Sequence, residues 1–238
     1  MPEVCEVALS AAFLATKIID YKITDMDILG GRYSKSPPTN LDSFKNKFPL
    51  LVTNVGSKGK QMWFKLKDTD DKPVYLLSHF GMEGKWGFEK DKHSHLKFKL
   101  ETIVNKSKGK TETIKQTMYF SDYRNFGRIE FVFKHSLFKG LIDNIGPDFL
   151  KNKLNKNILK TRIKNYLYNG VKLRKQRADK NIMTVLMCGQ KKKDGIGSGI
   201  GNYLCCEILY RAKISPHTTM ETIYKSDDLL KTLAYYIK

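Results

Sequence analysis

Apolar positions divide the chain into three stretches of different period. Over residues 3–16, Val4, Val7, Ala8, Ala11 and Ala15 recur every three or four residues, which is one face of a helix. Pro2 suits a first helical turn, where its missing N–H costs nothing. Glu3 and Glu6 would share a face near the positive end of that helix. From residue 17 to about 133 the period shortens to strands, predicted at 17–24, 50–55, 61–66, 74–78, 96–100, 117–120 and 128–133. Gly56-Ser57-Lys58-Gly59-Lys60 links two of them, the segment 30–40 with Pro37-Pro38 reads as a loop, and 105–111 reads as a polar hairpin tip. Many short strands with Gly and Asp turns suggest a sandwich or barrel. After Gly146-Pro147-Asp148 the pattern turns helical, which places a boundary there, with domains 1–148 and 149–238 and an α+β fold class.

Composition narrows the function. Hydrophobic residues make up 41% of the 238, enough for a packed core. Lys and Arg exceed Asp and Glu by 19, so a polyanion is the natural partner, nucleic acid or an anionic membrane surface. The excess is concentrated in 149–193, where fourteen Lys or Arg meet one acid, Asp179. Such a run can be a solvated helix face; its one-sidedness favours a nucleic-acid footprint. No apolar run approaches the ~18 residues of a membrane span, and carboxylates stand where a secretory signal would carry positive charge. Cys5, Cys188, Cys205 and Cys206 form no C-x-x-C pair and the histidines no H-E-x-x-H, so reduced thiols are expected, with no metal and no cofactor.

One motif stands out. Gly195-Ile196-Gly197-Ser198-Gly199-Ile200-Gly201-Asn202 precedes a helical segment at 203–212. Alternating glycines allow a close backbone approach, and a helix N-terminus offers N–H groups to a phosphate. The spacing is neither that of a P-loop nor that of a dinucleotide fingerprint. On the glycines alone, a phosphate cradle and a hinge between helices fit equally.

The passage IGSGIGNYLCCEILYRAKISPH (196–217) resembles the helix–two-turn–helix signature of the Fpg/Nei family of DNA glycosylases (formamidopyrimidine-DNA glycosylase and endonuclease VIII-like proteins). The start MPE-x-x-E, SHFGMEG (78–84), KHSH (92–95), SDYRNFG (121–127) and GPDFL (146–150) resemble the same family, in its order and with its spacing. GRYSKS (31–36) and GNYLCCEILYRAKI (201–214) lean towards its eukaryotic and giant-virus Nei-like branch. The resemblance implies an N-terminal helix with a β-sandwich, followed by an all-helical domain. It implies base-excision DNA repair: removal of oxidised bases from double-stranded DNA and lyase cleavage at abasic sites by β-elimination through a Schiff base. It further implies a monomer that acts in the nucleus or another DNA-containing compartment, with no membrane partner.

Residue roles follow from the resemblance. Methionine before a small residue is normally removed, which would leave Pro2 with a free secondary amine. An α-amino group titrates near pH ~8, so much of it is nucleophilic at neutral pH. Attack at the sugar C1′ gives an iminium that acidifies the 2′ proton. Glu3 would transfer protons at the opened sugar and Glu6 would support it. Without the other motifs, the same residues read as a helix start. Lys60 matches the family's hairpin lysine, which contacts phosphate and acts as a general acid; Lys58, two residues away, is the alternative. Met82, Arg124 and Phe126 match the residues that fill the hole left by an extruded base, which costs a few kcal/mol of stacking and pairing. His93, Gly201 and Asn202 match phosphate-contacting positions, and Glu207 reads as structural.

Three departures stand out. Cys5 replaces the proline usual at this start, and 188–195 (CGQKKKDG) looks like a lengthened basic loop. The chain ends at Lys238, where the family continues into a hairpin finger whose arginine assists δ-elimination. Weaker DNA binding and weak second elimination are expected from that. A second function class fits the same fold, a catalytically impaired module that binds damaged DNA. A third, a basic RNA-binding protein, has no ribonucleoprotein aromatic motif or zinc knuckle in its favour.

Overall fold

Helix α1 (Val4–Ile18) buries Val4, Val7, Ala11, Leu14 and Ile18 as a single stripe. The structure, a computed structural model, describes residues 1–105, 110–151, 153–188 and 195–237. Most of the predicted hairpin tip and of the basic loop at 188–195 lies outside the described residues. Two expectations at this end of the chain change. The helix starts at Val4, so Pro2 precedes it rather than sitting in its first turn. The strand expected at 17–24 starts late: the chain reverses through Asp20, at φ 68°, and β1 is Lys22–Ile28. Ile18 and Ile19 are β-branched and read locally as strand, but Ile18 completes the buried helical stripe and follows it.

The remaining strands are β2 (Leu50–Lys58), β3 (Gln61–Lys67), β4 (Pro73–His79), β5 (Lys85–Gly87), β6 (Ser94–Asn105), β7 (Thr111–Ser121) and β8 (Arg128–Val132). Only Gly59-Lys60 separates β2 from β3, so the predicted five-residue link is a tight turn. β6 and β7 outrun their predicted ends and stay in register to Asn105↔Thr111. Their outer ends are largely exposed and lack an apolar alternation to announce them. β5 is too short to show a period. Within the predicted loop and just beyond it lie two single turns of helix, α2 (Arg32–Lys35) and α3 (Leu41–Lys45), which bury Tyr33 and Phe44.

The eight strands hydrogen-bond in the order β5-β7-β6-β1-β2-β3-β4-β8. Four strands separate β3 from β5 in that order, yet Phe64 meets Trp86 edge-on at 5.0 Å. Trp86 Nε1 also donates to Ser78 Oγ of β4 at 3.0 Å. The sheet therefore curls until its inner faces pack together as a sandwich around Phe64, Phe98, Phe120 and Met118.

Beyond β8 come α4 (His135–Asp143), α5 (Lys156–Leu167), α6 (Lys175–Ala178), α7 (Ile182–Cys188), α8 (Asn202–Ala212), α9 (Met220–Lys225) and α10 (Asp227–Ile237). Leu159, Ile163, Leu167, Ile182, Leu186, Cys205, Met220 and Leu230 form a second core. A short ribbon of β9 (Tyr168–Asn169) and β10 (Lys172–Leu173) interrupts the otherwise helical region. The fold is α+β, as expected. The chain divides into two compact units: Met1–Pro2, Glu6–Ser57 and Gln61–Lys139 in one, Glu3–Cys5, Lys58–Lys60 and Gly140–Lys238 in the other. All four cysteines are free thiols. Among the described residues no helix is long and apolar enough to cross a membrane, and no group of three or more His, Cys, Asp or Glu could hold a metal ion.

The core assignment is open to a direct test. Phe64→Ala should lower unfolding free energy in urea by about 3–5 kcal/mol, because the ring is fully buried. Leu9→Ala, on the exposed face of α1, should change it by no more than about 0.5 kcal/mol.

Candidate functional site

Candidate residues gather in two places, one in each unit. In the second unit the organising group is Glu3, the residue immediately before α1 and only 2% exposed. Its Oε2 accepts N–H bonds from Gly201 at 2.6 Å and Leu204 at 3.2 Å, and its Oε1 accepts one from Tyr203 at 2.9 Å. Gly201 is the N-cap of α8 and has no side chain to serve that helix's first N–H groups. A carboxylate from the start of the chain does so instead, at the positive end of the helix dipole. Alongside, Val4 N–H donates to Gly199 O at 3.0 Å.

The space beside Gly199 and Gly201 is taken by protein. A Cβ on Gly201 would overlap the Glu3 carboxylate and come within 2.6 Å of Lys60 Nζ. Gly199, at φ 103°, would drive a side chain into Val4. The close approach read from the sequence exists, but it admits Glu3 and Lys60. Asn202 is the first residue of α8 and its side chain is exposed, with Oδ1 4.0 Å from Cys206 Sγ. Glu3 and Glu6 do not share an environment: Glu3 is buried and Glu6 is exposed.

Lys60 occupies the turn between β2 and β3 and is 8% exposed, its ammonium against Gly201 with the Glu3 carboxylate. Lys58 points elsewhere, donating to Ile142 O at 2.9 Å. The turn is held by Asp148, a residue that sequence reasoning quoted within GPDFL but did not single out. Asp148 is buried and its Oδ2 accepts the Gly59 N–H at 2.9 Å. Its neighbour in the glycine loop, Ser198, donates through Oγ to Gly146 O and through N–H to Pro147 O. Further along α8, burial pushes the Cys205 thiol up to about 11.

In the first unit Met82 and Arg124 meet: Arg124 Nη1 lies 3.7 Å from Met82 Sδ. Arg124 Nε also pairs with Glu83 at 3.0 Å, a partner that the sequence did not suggest. The Phe126 side chain is 54% exposed, and its backbone packs against Gly81 of the Met82 turn. The 122–127 loop is stiffened from beneath. Asp122 Oδ2 accepts Gly127 N–H at 2.6 Å, Asn125 Oδ1 accepts Arg32 N–H at 2.9 Å, and His95 Nε2 bonds Asp122 O at 2.8 Å. Asp122 and His95 were legible only as parts of motif strings. His93 is half-buried, its ring centroid 4.7 Å from that of the exposed Tyr123 in a T-shaped pair.

The basic run splits by role. Lys156 and Lys160 of α5 pair with Asp227 of α10 at 3.2 and 2.8 Å, and those lysines hold the Asp227 carboxyl below its usual range. Arg162 donates to Ile196 O at 3.4 Å, and Arg177 to Tyr166 O at 3.1 Å. Lys151, Lys153, Lys164, Lys172, Lys175 and Lys180 are exposed. Glu207 pairs with Arg211 on α8 at 2.5 Å.

The chain is similar to known proteins in sequence and in fold. The chain is 26% identical over 236 residues to a formamidopyrimidine-DNA glycosylase of Streptococcus pneumoniae, covering 94% of this chain and 70% of that one. To the enzyme of the same name from Zymomonas mobilis it is 25% identical over 246 residues, covering 100% of this chain and 76% of the relative. The fold matches that of MutM solved with DNA containing carbocyclic 8-oxo-G (TM-score 0.72, 20% identity, 99% of this chain and 76% of that one). It also matches the Lactococcus lactis formamidopyrimidine-DNA glycosylase non-covalently bound to DNA with an AP site (TM-score 0.72, 19% identity, 99% and 77%). Residues 1–129, more than half of the chain, match the formamidopyrimidine-DNA glycosylase N-terminal domain. With α1, strands β1 to β7 and the Met82 and Arg124 loops all inside that match, the chain belongs to the formamidopyrimidine-DNA glycosylase family.

Proposed function

We propose that this protein is a DNA glycosylase that removes oxidised bases from duplex DNA and cleaves the strand at the abasic site, with Pro2 as nucleophile. The observation that carries this reading is the Glu3 carboxylate, on the residue that follows Pro2 and pinned by three backbone N–H groups at the start of α8. A group held that firmly offers its acid–base function in one geometry. Once Met1 is removed, the Pro2 nitrogen attacks C1′ and the glycosidic bond breaks. A proton moves to the opened sugar through Glu3, and Pro2 is left as an iminium on C1′. That positive charge draws electrons from C2′–H; loss of the proton expels the 3′ phosphate, and water then releases Pro2.

Lys60 sits where a phosphate or leaving group beside Glu3 would find an ammonium, and Glu6 supports the start of α1. Met82, Arg124 and Phe126 fill the gap left by the extruded base: a thioether and a ring enter the stack, and a guanidinium bonds the orphaned base. Asn202 and His93 bind phosphates, while the Gly201 N–H stays with Glu3. The exposed lysines of the basic run track the backbone, so affinity falls steeply with salt. Residues 31–36 and 201–214 support a place near the Nei-like branch. The site of action is a compartment that holds DNA.

Borohydride reduction with an abasic-site oligonucleotide tests the nucleophile. The native protein should give a covalent adduct; Pro2→Leu, which retains Met1, should reduce its yield at least about 100-fold. An undiminished adduct from that variant sinks the amine mechanism. Tight binding of abasic DNA by the native protein with neither adduct nor nicking would support the non-catalytic module instead.

Glu3→Gln separates chemistry from architecture. Base release should slow about 10²–10⁴-fold, measured in single turnover on an oxidised-base duplex. An amide also cannot accept from all three N–H groups, so thermal unfolding should show a loss of about 1–3 kcal/mol.

A further inference from the structure

We infer that Asp148 is a positioning residue for Lys60, setting the ammonium beside Glu3 through the hairpin turn; this rests on the proposed glycosylase reading. The carboxylate is 2% exposed and fully engaged in two directions. Oδ1 accepts the N–H groups of Leu150 at 2.8 Å and Lys151 at 3.1 Å, which fixes the side chain to its own turn. Oδ2 reaches across 89 positions of sequence to the buried Gly59 N–H at 2.9 Å. Gly59 and Lys60 are the whole of the turn between β2 and β3, so locking one peptide N–H fixes where the next side chain begins.

The same segment holds the other side of the site. Asp148 pairs with Ser198 in a parallel bridge, and the Ser198 N–H and Oγ bond the carbonyls of Pro147 and Gly146 at 2.7 and 2.9 Å. Three residues after Ser198 comes Gly201, whose N–H holds Glu3 and whose missing side chain leaves room for Lys60. Residues 146–148 thus tie the lysine turn and the carboxylate's anchor to one short piece of backbone. Lysine is a flexible stem with a point charge, and a turn free to rock would let its ammonium drift by an ångström or more. The buried Asp148 bond removes that freedom.

The test is a double-mutant cycle on single-turnover base release with Asp148→Asn and Lys60→Ala. Asparagine keeps the size and one oxygen but cannot accept in both directions. Asp148→Asn alone should slow release about 10- to 100-fold while the Kd for abasic duplex changes by less than about threefold. In the Lys60→Ala background it should slow release no further, within about twofold. Equal slowing in both backgrounds, or a loss seen in Kd alone, overturns the inference.

Lysine acylation followed by mass spectrometry gives a second readout that needs no activity. Asp148→Asn should raise labelling of Lys60 severalfold, with exposed Lys172 unchanged. Unaltered Lys60 labelling overturns the inference, even if Asp148→Asn has lowered the melting temperature. A native protein without base release overturns the glycosylase reading instead, and the labelling result still decides whether Asp148 holds Lys60.

Discussion

The architecture of the second unit depends on one carboxylate placed against one helix end. Helix α8 follows a buried glycine N-cap, Gly201, which has no side chain to cap the helix's first N–H groups. Glu3 supplies two oxygens and takes three of those donors, across 198 positions of sequence in the case of Gly201. An unsatisfied buried N–H costs about 1–3 kcal/mol, so this contact weighs heavily against a folding free energy of only about 5–15 kcal/mol. The glycines follow from it. Gly201 must lack a side chain because the carboxylate and Lys60 occupy that space, and Gly199 must turn left-handed where Val4 presses against it.

In the proposed site the acid–base group, Glu3, is fixed by protein contacts alone. Glu3 does not depend on its own rotamer preference; helix α8 holds it. Lys60 is held less directly, by a turn, and Asp148 anchors that turn. In the proposed reaction such preorganisation matters because proton transfer and charge stabilisation are lost over fractions of an ångström. The loops of the first unit follow a different logic. Arg124 and Phe126 are exposed while Asp122, His95 and Asn125 brace the loop beneath them. Rigid backbone with projecting side chains is what a wedge into a base stack requires. Arg124 is meanwhile paired with Glu83, so entering DNA would trade that exposed ion pair for a base or phosphate.

The basic run is more divided than its composition suggests. Lys156 and Lys160 neutralise Asp227, and Arg162 and Arg177 bond backbone carbonyls, so these cations help hold the helices together. Lys153, Lys164, Lys172, Lys175 and Lys180 are exposed, and in the proposed reading they meet the polyanion. A charge count cannot separate the two sets, because a partner such as Asp227 lies dozens of residues away.

Local pattern decided much of this protein. The stripe from Val4 to Ile18, the alternation in the central strands and the start of α8 were legible because period and turn chemistry act within a few residues. Motif strings placed Glu3, Lys60, Met82 and Arg124 on a short list of chemical residues. Tertiary structure decided what those residues touch. Whether Lys58 or Lys60 lies beside Gly201 with the Glu3 carboxylate, what fills the space over Gly201, and which group holds the Gly59 turn are all matters of contact across long sequence separations. Hydrogen bonds of that kind leave no period in the chain. Short elements such as β5 and α2 stayed hidden for a related reason: at three or four residues, burial against neighbours rather than propensity determines their form.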